Sequence, residues 1–206
     1  VRNPLNAILA ISEALGQDLE GNDELQPYID HIRKQVTRLS DLMRDLLDLG
    51  RPIERADMMP TTIVSLVQSA LNVWKQSSNH RDRAIRVLTD DEADTWLIAA
   101  DRSKIEQVFV NLLENACNHS PHDTEVKIVI SRLDRNLSIK IIDNGTGIRP
   151  EHFEHLFEPF FTTRKGGTGL GLGIVKRIVE SHNGTIDITN NTDLRGATVE
   201  LRLPVL

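Results

Sequence analysis

The sequence predicts an α+β chain, a helical hairpin leading into an α/β sandwich, and three observations predict it. Ile29, Ile32, Val36, Leu39, Met43 and Leu46 recur in alternating steps of three and four residues, the seam of packed helices. Residues 125–132 and 137–143 alternate in polarity and are rich in Val and Ile, as half-buried strands are. Between residues 145 and 173 glycines collect ahead of a segment with helical periodicity, so a loop feeds directly into a helix start.

The first helix of the hairpin is expected from about Pro4 to Leu19, where Leu5, Ile8, Leu15 and Leu19 form one stripe interrupted by Ser12. The segment from Gly21 to Pro27 has turn chemistry and ends on a proline suited to restarting a helix. Gly50-Arg51-Pro52 closes the second helix and divides residues 1–52 from residues 53–206. Two helices alone cannot enclose a core. The hairpin is therefore expected to meet a second copy through residues 1–50 and form a dimeric four-helix bundle, packing on its own downstream domain being the other reading.

Beyond the boundary, Ser65 to Lys75 reads as an amphipathic helix, and Ile85 to Leu88 and Trp96 to Ala99 read as short strands. A long helix is expected from Arg102 to Asn118, then strands from Glu125 to Arg132 and Leu137 to Asp143 joined at Asp134-Arg135-Asn136. The stretch from Gly145 to Gly169 shows little periodicity. A helix from about Leu170 to His182 stops at Asn183-Gly184, and strands over Thr185–Thr189 and Ala197–Leu203 complete a largely antiparallel sheet.

Composition narrows the function. At 206 residues the chain can bury a sizeable core, while a net charge of −6 and 4% aromatic residues argue against a nucleic-acid surface. No apolar run approaches the roughly 18 residues of a membrane span, and no signal-peptide pattern is present. The single cysteine, Cys117, fits a reducing, cytoplasmic setting, and among Leu112, Leu113 and Ala116 it reads as a core residue. His152 and His155 stand three apart, with no further ligand pattern to complete a metal site.

Three clusters carry chemistry. Asn111 and Asn115 are four apart on one helix, and an amide carbonyl is an uncharged oxygen ligand able to hold Mg²⁺ beside phosphates; taken alone, the pair equally suits a polar helix face. In Ile141-Ile142-Asp143-Asn144-Gly145-Thr146-Gly147-Ile148, an apolar strand delivers a carboxylate to its end, and the glycines let backbone approach a flat ligand. The carboxylate can accept from the amine of adenine; an ordinary Asp-Asn-Gly turn is the other reading. Finally, Gly166-Gly167-Thr168-Gly169-Leu170-Gly171-Leu172-Gly173 runs straight into a helix, exposing N–H groups and a positive dipole end to phosphate.

In this order the clusters resemble the ATP-binding domain of histidine kinases, a member of the Bergerat-fold superfamily that also holds gyrase and heat-shock chaperones. Asn111 to Ala116 looks like the N box, Asp143 to Gly147 the first glycine box, Phe157 to Thr163 the F box, and Gly167 to Gly173 the second glycine box. Val1-Arg2-Asn3-Pro4-Leu5 looks like the tail of an H box, so the resemblance covers essentially the whole chain. It implies an α/β sandwich of Bergerat type, with ATP and Mg²⁺ as cofactors. Autophosphorylation of a histidine and transfer to an aspartate of a response regulator follow from it, with an upstream sensor domain in the parent protein.

The same resemblance implies roles. Asn115 would ligate Mg²⁺, Asn111 would support the triphosphate, and Asp143 would read adenine in a pocket shaped by Gly145 and Gly147. Residues 149–169 would form a lid anchored by Phe157 and Phe161. Gly167, Gly169 and Gly171 would meet the phosphates, His119 would contact phosphate, and Ile148, Thr163, Thr168, Leu170 and Leu172 join the nucleotide-binding set. Asn3 stands where relatives carry a residue linked to phosphatase activity. Two departures appear: Asn118 occupies a position often held by a lysine or arginine, for which Arg164 or Lys165 would substitute, and the pattern places the phosphoacceptor histidine two residues before Val1. A nucleotide-binding scaffold without kinase activity is the alternative reading. A water-activating ATPase is disfavoured, because Asn111 stands where such enzymes place a glutamate base.

Overall fold

The computed structural model describes residues 8, 10–11, 14–15, 25–50, 58–78, 80, 82–90, 92–164, 167–192 and 195–206. The chain divides into two compact units, Val1–Arg51 and Pro52–Leu206. Asn3 and the turn from Gly21 to Glu24 lie outside the described residues, as do Lys165 and Gly166.

In the first unit, residues 8, 10, 11, 14 and 15 are helical, and α1 spans Gln26–Gly50. Pro27 sits in the first turn of α1, where a missing N–H costs no intrahelical bond. The heptad residues divide by side. Ile29 and Val36, seven apart, are buried, whereas Ile32, Leu39 and Leu46 are 46%, 47% and 42% exposed.

The second unit contains β1 (Met59–Thr62), α2 (Ile63–Ser77), β2 (Ile85–Thr89), β3 (Leu97–Ala100) and α3 (Arg102–His119). It continues with β4 (Val126–Leu133), β5 (Asn136–Ile142), α4 (Gly171–Ser181), β6 (Thr185–Asn190) and β7 (Ala197–Pro204). Five strands form one sheet in the order β2-β4-β5-β7-β6. The β2–β4 pair is parallel and the other three pairs are antiparallel. A parallel pair needs a long crossover, and here it contains α3. β4 and β5 meet at a two-residue turn, with Leu133 paired to Asn136 and Asp134 at φ 54, so Asn136 belongs to the strand.

Helices cover one face of the sheet. Strand residues of alternating parity, Ile128, Ile130, Ile139 and Ile141 among them, are buried beneath α3 residues Ile105, Val108, Phe109 and Leu112. α3 packs against both α2 and α4. Its N-terminus is capped by Asp101, whose Oδ1 accepts the N–H of Lys104 at 3.2 Å. α4 ends where Asn183 takes φ 55 and the N–H of Gly184 donates to the Val179 carbonyl at 2.9 Å.

Three elements differ from the sequence reading, one of them a single 3₁₀ turn over Ala93–Thr95. Residues 59–62 form β1, which pairs antiparallel with β3 as a separate two-stranded sheet. Its Met-Pro-Thr-Thr sequence is short and carries a proline, so nothing in its pattern marks a strand. A 3₁₀ helix, Pro150–His155, occupies part of the segment read as aperiodic.

Among the described residues no helix is long and apolar enough to cross a membrane, and no cluster of His, Cys, Asp or Glu suits a metal ion. Cys117 is buried. Its thiol is pushed up to about 11, chiefly by burial and with Glu114 adding, against the lowering effect of Arg83.

Candidate functional site

The end of β5, the C-terminal half of α3 and the start of α4 surround a cavity of about 690 Å³. Its apolar walls include Leu112 and Ala116 from α3, Ile141 from β5, Ile188 from β6 and Val199 from β7. The strand contributions meet because the sheet order sets Ile141 opposite Val199 and Ile188 opposite Val199.

Asp143 lies at the cavity, one residue past β5. The N–H groups of Gly145 and Ala197 donate to its Oδ1 at 2.7 Å and 3.1 Å, while its own N–H donates to the Ala197 carbonyl at 3.0 Å. The carboxyl is held above its ordinary range by burial, opposed by those two N–H groups and by the charge of His119. With Oδ1 committed to backbone, Oδ2 is the oxygen left for a ligand donor.

The turn after Asp143 is fixed tightly. A side chain at Gly145 would stand 2.6 Å from the His119 carbonyl oxygen, and Gly147 takes φ +76. The Asn190 amide grips Ile148 on both sides, accepting its N–H at 2.7 Å and donating to its carbonyl at 2.8 Å. Asn144 ties the same turn to the end of α3 by donating its N–H to Ser120 Oγ at 3.1 Å.

Opposite stands the segment from the 3₁₀ helix to α4. Phe161 lines the cavity, with the rings of His152 and His155 at 5.5 Å and 5.7 Å from its own. Phe157 lies away from the lining, beneath the ammonium of Lys176 at 5.1 Å. The Phe160 N–H donates to the Gly169 carbonyl at 2.9 Å, and both residues have positive φ, 70 and 69. A Cβ at Gly169 would collide with the Phe160 backbone, whereas Gly171 has nothing within 4 Å of that position. Space, bare N–H groups and a positive dipole end therefore coincide at the start of α4.

Of the residues singled out from sequence, Asn115, His119, Asp143, Gly147 and Ile148 line the cavity, together with Phe161, Thr163, Gly169 and Leu172. The lining does not include Asn111, Asn118, Gly145, Phe157, Arg164, Gly167, Thr168, Leu170 or Gly171. Each of several has another task. The Asn118 Oδ1 pairs with His80 Nε2 at 2.9 Å, Thr168 Oγ1 accepts the Leu170 N–H at 3.4 Å, and Leu170 is buried. Gly167 closes a turn in which its N–H donates to the Arg164 carbonyl at 3.1 Å. Arg149, His152 and Thr162 also line the cavity, although the sequence placed them only within the lid segment and gave none of them a role of its own. Arg149 and His152 lie beside and in the 3₁₀ helix and Thr162 lies in the loop that follows, segments with no period to read.

The residues present suit a nucleotide with Mg²⁺. The apolar slot ends in one open carboxylate oxygen, Asn115 offers a neutral oxygen ligand, and an unfilled space precedes α4. Asp143 is the lone carboxylate among the described lining residues.

Residues 100–206 match the family of histidine kinase-, DNA gyrase B- and HSP90-like ATPases, and residues 1–55 match the His Kinase A (phospho-acceptor) domain. The sensor histidine kinase ZraS of Escherichia coli K12 is 30% identical over 205 residues, covering 100% of this chain and 43% of its own length. ShkA, solved in complex with AMPPNP, superposes with a TM-score of 0.80 at 24% identity, covering 99% of this chain and 43% of that one. The histidine kinase ThkA, solved in complex with the response regulator protein TrrA, gives a TM-score of 0.72 at 22% identity, covering 100% of this chain and 60% of that one. The chain spans a third to about half of the curated relatives it matches.

Proposed function

This chain belongs to the sensor histidine kinases, within the histidine kinase-, DNA gyrase B- and HSP90-like ATPase family, and from that premise we propose that it binds ATP and Mg²⁺ to phosphorylate a histidine. The phosphoryl group then passes to an aspartate on a response regulator. One observation carries the reading: an apolar slot of nucleotide size ends on Asp143, whose Oδ1 is held by two backbone N–H groups while Oδ2 faces no protein donor among the described residues.

Adenine fills the slot and donates its amine to Asp143 Oδ2. Mg²⁺ neutralises phosphate charge when bound, and Asn115 is the residue that would hold it. The N–H groups at the start of α4 donate to phosphate oxygens in the space that Gly171 leaves. No second carboxylate among the described lining residues stands ready to activate water. That lack favours transfer to a protein acceptor over hydrolysis. Residues 1–50 supply the dimer, and a receiver domain is the partner.

Calorimetry with a non-hydrolysable ATP analogue, with and without Mg²⁺, tests the site. Asn115→Asp is expected to weaken the Mg²⁺-dependent part of binding by setting a carboxylate against phosphates. Unchanged affinity there would remove Asn115 from the metal site. Incubation of the parent protein with γ-labelled ATP should give an acid-labile, alkali-stable label that a receiver domain accepts. Tight ATP binding with no label would favour the scaffold reading.

A further inference from the structure

Asp143 and Ile148 both line the cavity and stand at the two ends of one short turn. Asn190, the last residue of β6, and Asn191 after it hold both ends of that turn, although neither asparagine lines the cavity itself. At the far end, Asn190 accepts the Ile148 N–H at 2.7 Å and donates to the Ile148 carbonyl at 2.8 Å. At the near end, Asn191 Nδ2 donates to the Asp143 carbonyl at 3.0 Å and to the Arg195 carbonyl at 3.2 Å. Thr198 Oγ1 donates to Asn191 Oδ1 at 2.6 Å, so every polar atom of that amide has a partner of the right kind and its orientation is fixed. The approach is close as well. A Cβ at Gly196 would collide with the Asp143 carbonyl, and one at Gly147 would stand 3.0 Å from Asn190 Oδ1.

Base selection depends on where Asp143 Oδ2 stands. Adenine presents an amine to it, whereas guanine presents a carbonyl oxygen at the same position, and a carboxylate fixed there rejects that oxygen. A carboxylate able to shift would accept from the ring N–H and amine of guanine instead. We propose that Asn190 and Asn191 are positioning residues that set the selectivity of the cavity for adenine over guanine, by fixing Ile148 and Asp143 from outside the pocket. This rests on the nucleotide reading of the cavity, in which Asp143 Oδ2 takes the adenine amine.

The test is to titrate the 206-residue chain with ATP and GTP, beside Asn190→Ala, Asn191→Ala and Thr198→Val, with a melting curve for each. The wild-type chain is expected to prefer ATP. In either asparagine variant ATP affinity should fall about tenfold, the scale of one misaligned hydrogen bond to a charged group. GTP has no such bond to lose and should stay within about twofold. Thr198→Val keeps both asparagines and removes only the hydroxyl that orients Asn191, so it should narrow the preference in the same direction by less. An unchanged ATP-to-GTP ratio, or equal losses for the two nucleotides, would overturn the proposal while leaving the nucleotide site intact. Where an asparagine variant fails to melt cooperatively, Thr198→Val decides, and a wild-type ratio there overturns the proposal. A wild-type chain that binds neither nucleotide would overturn the nucleotide reading too.

Discussion

A single carboxyl group at Asp143 serves the fold with one oxygen and leaves the other for the ligand, and the two tasks can be separated by substitution. Asp143→Asn keeps an amide oxygen to accept the N–H groups of Gly145 and Ala197, and it removes a charge that burial disfavours. Its NH₂, however, faces the amine of adenine. Thermal stability is therefore expected to hold or rise while ATP-analogue affinity falls by about tenfold or more, which melting curves and calorimetry on the same sample would resolve. A parallel loss of stability and affinity would make Asp143 purely structural. His182 is a residue whose role sequence could not show. Its buried ring accepts the Asp101 N–H at Nε2 (3.0 Å) and donates from Nδ1 to the Ile178 carbonyl (2.7 Å), tying the start of α3 to the end of α4. Burial, against the pull of Ile178 and Asp101, lowers its pKa below the ordinary 6.5. The unfolded chain then binds this proton more readily, so the stability from neutral His182 is complete above about pH 6.5 and is lost as pH falls towards the lower folded value. Denaturant unfolding between pH 7.5 and 5 should show that decline at up to about 1.4 kcal/mol per pH unit. His182→Gln should flatten it, and an unflattened slope would place the titration elsewhere. The partner at Asp101 is 81 positions away, which no local pattern encodes.

At the scale of elements, legibility followed periodicity. α3 and the β4–β5 pair were readable because their apolar positions recur at helix and strand spacing, and strand edges fell within a residue or two of those expected. The back wall of the cavity was not, since it exists only because β7 lies between β5 and β6, an order that local sequence does not state. The N-box spacing was visible as well, yet helix rotation brings Leu112, Asn115, Ala116 and His119 to the cavity and leaves Asn111 off it. The second glycine box divides more finely than its motif suggests. Gly169 is required by the protein itself, with φ +69 and the Phe160 backbone where a side chain would start. Gly171 has no such constraint, being helical with open space around it. Gly169→Ala should therefore strain the Phe160 contact, lowering both the melting temperature and nucleotide affinity. Gly171→Ala should leave melting unchanged or raise it, by up to about 1 kcal/mol of helix propensity, while weakening triphosphate binding because a methyl fills the phosphate space. Melting curves and ATP titrations of the pair check this. Equal behaviour of the two variants would mean that Gly171 is conformational too.

For the molecule as a whole, the question is what covers α1. The heptad reading treated Ile29, Ile32, Val36, Leu39, Met43 and Leu46 as one seam, and the single chain buries Ile29 and Val36 while leaving Ile32, Leu39 and Leu46 close to half exposed. One stripe is thus satisfied within the chain, and the adjoining row repeats every seven residues without a cover among the described residues. A row of that spacing matches a second copy of the same helix, because a symmetric pair presents identical rows to each other. The division also selects the right substitution. Val36→Asp would set a charge in a position already buried within one chain and would damage the hairpin itself. Ile32→Asp with Leu39→Asp alters residues that one chain leaves open, so the monomer should fold, but dimerisation would have to bury two pairs of like charges, a cost of several kcal/mol. Sedimentation equilibrium should report a dimer for the wild-type chain and a monomer for the double variant, with ATP-analogue affinity equal in the two. A double variant that remains dimeric would move the interface off α1, and one that loses ATP binding as well would show that the substitutions disturb more than the seam.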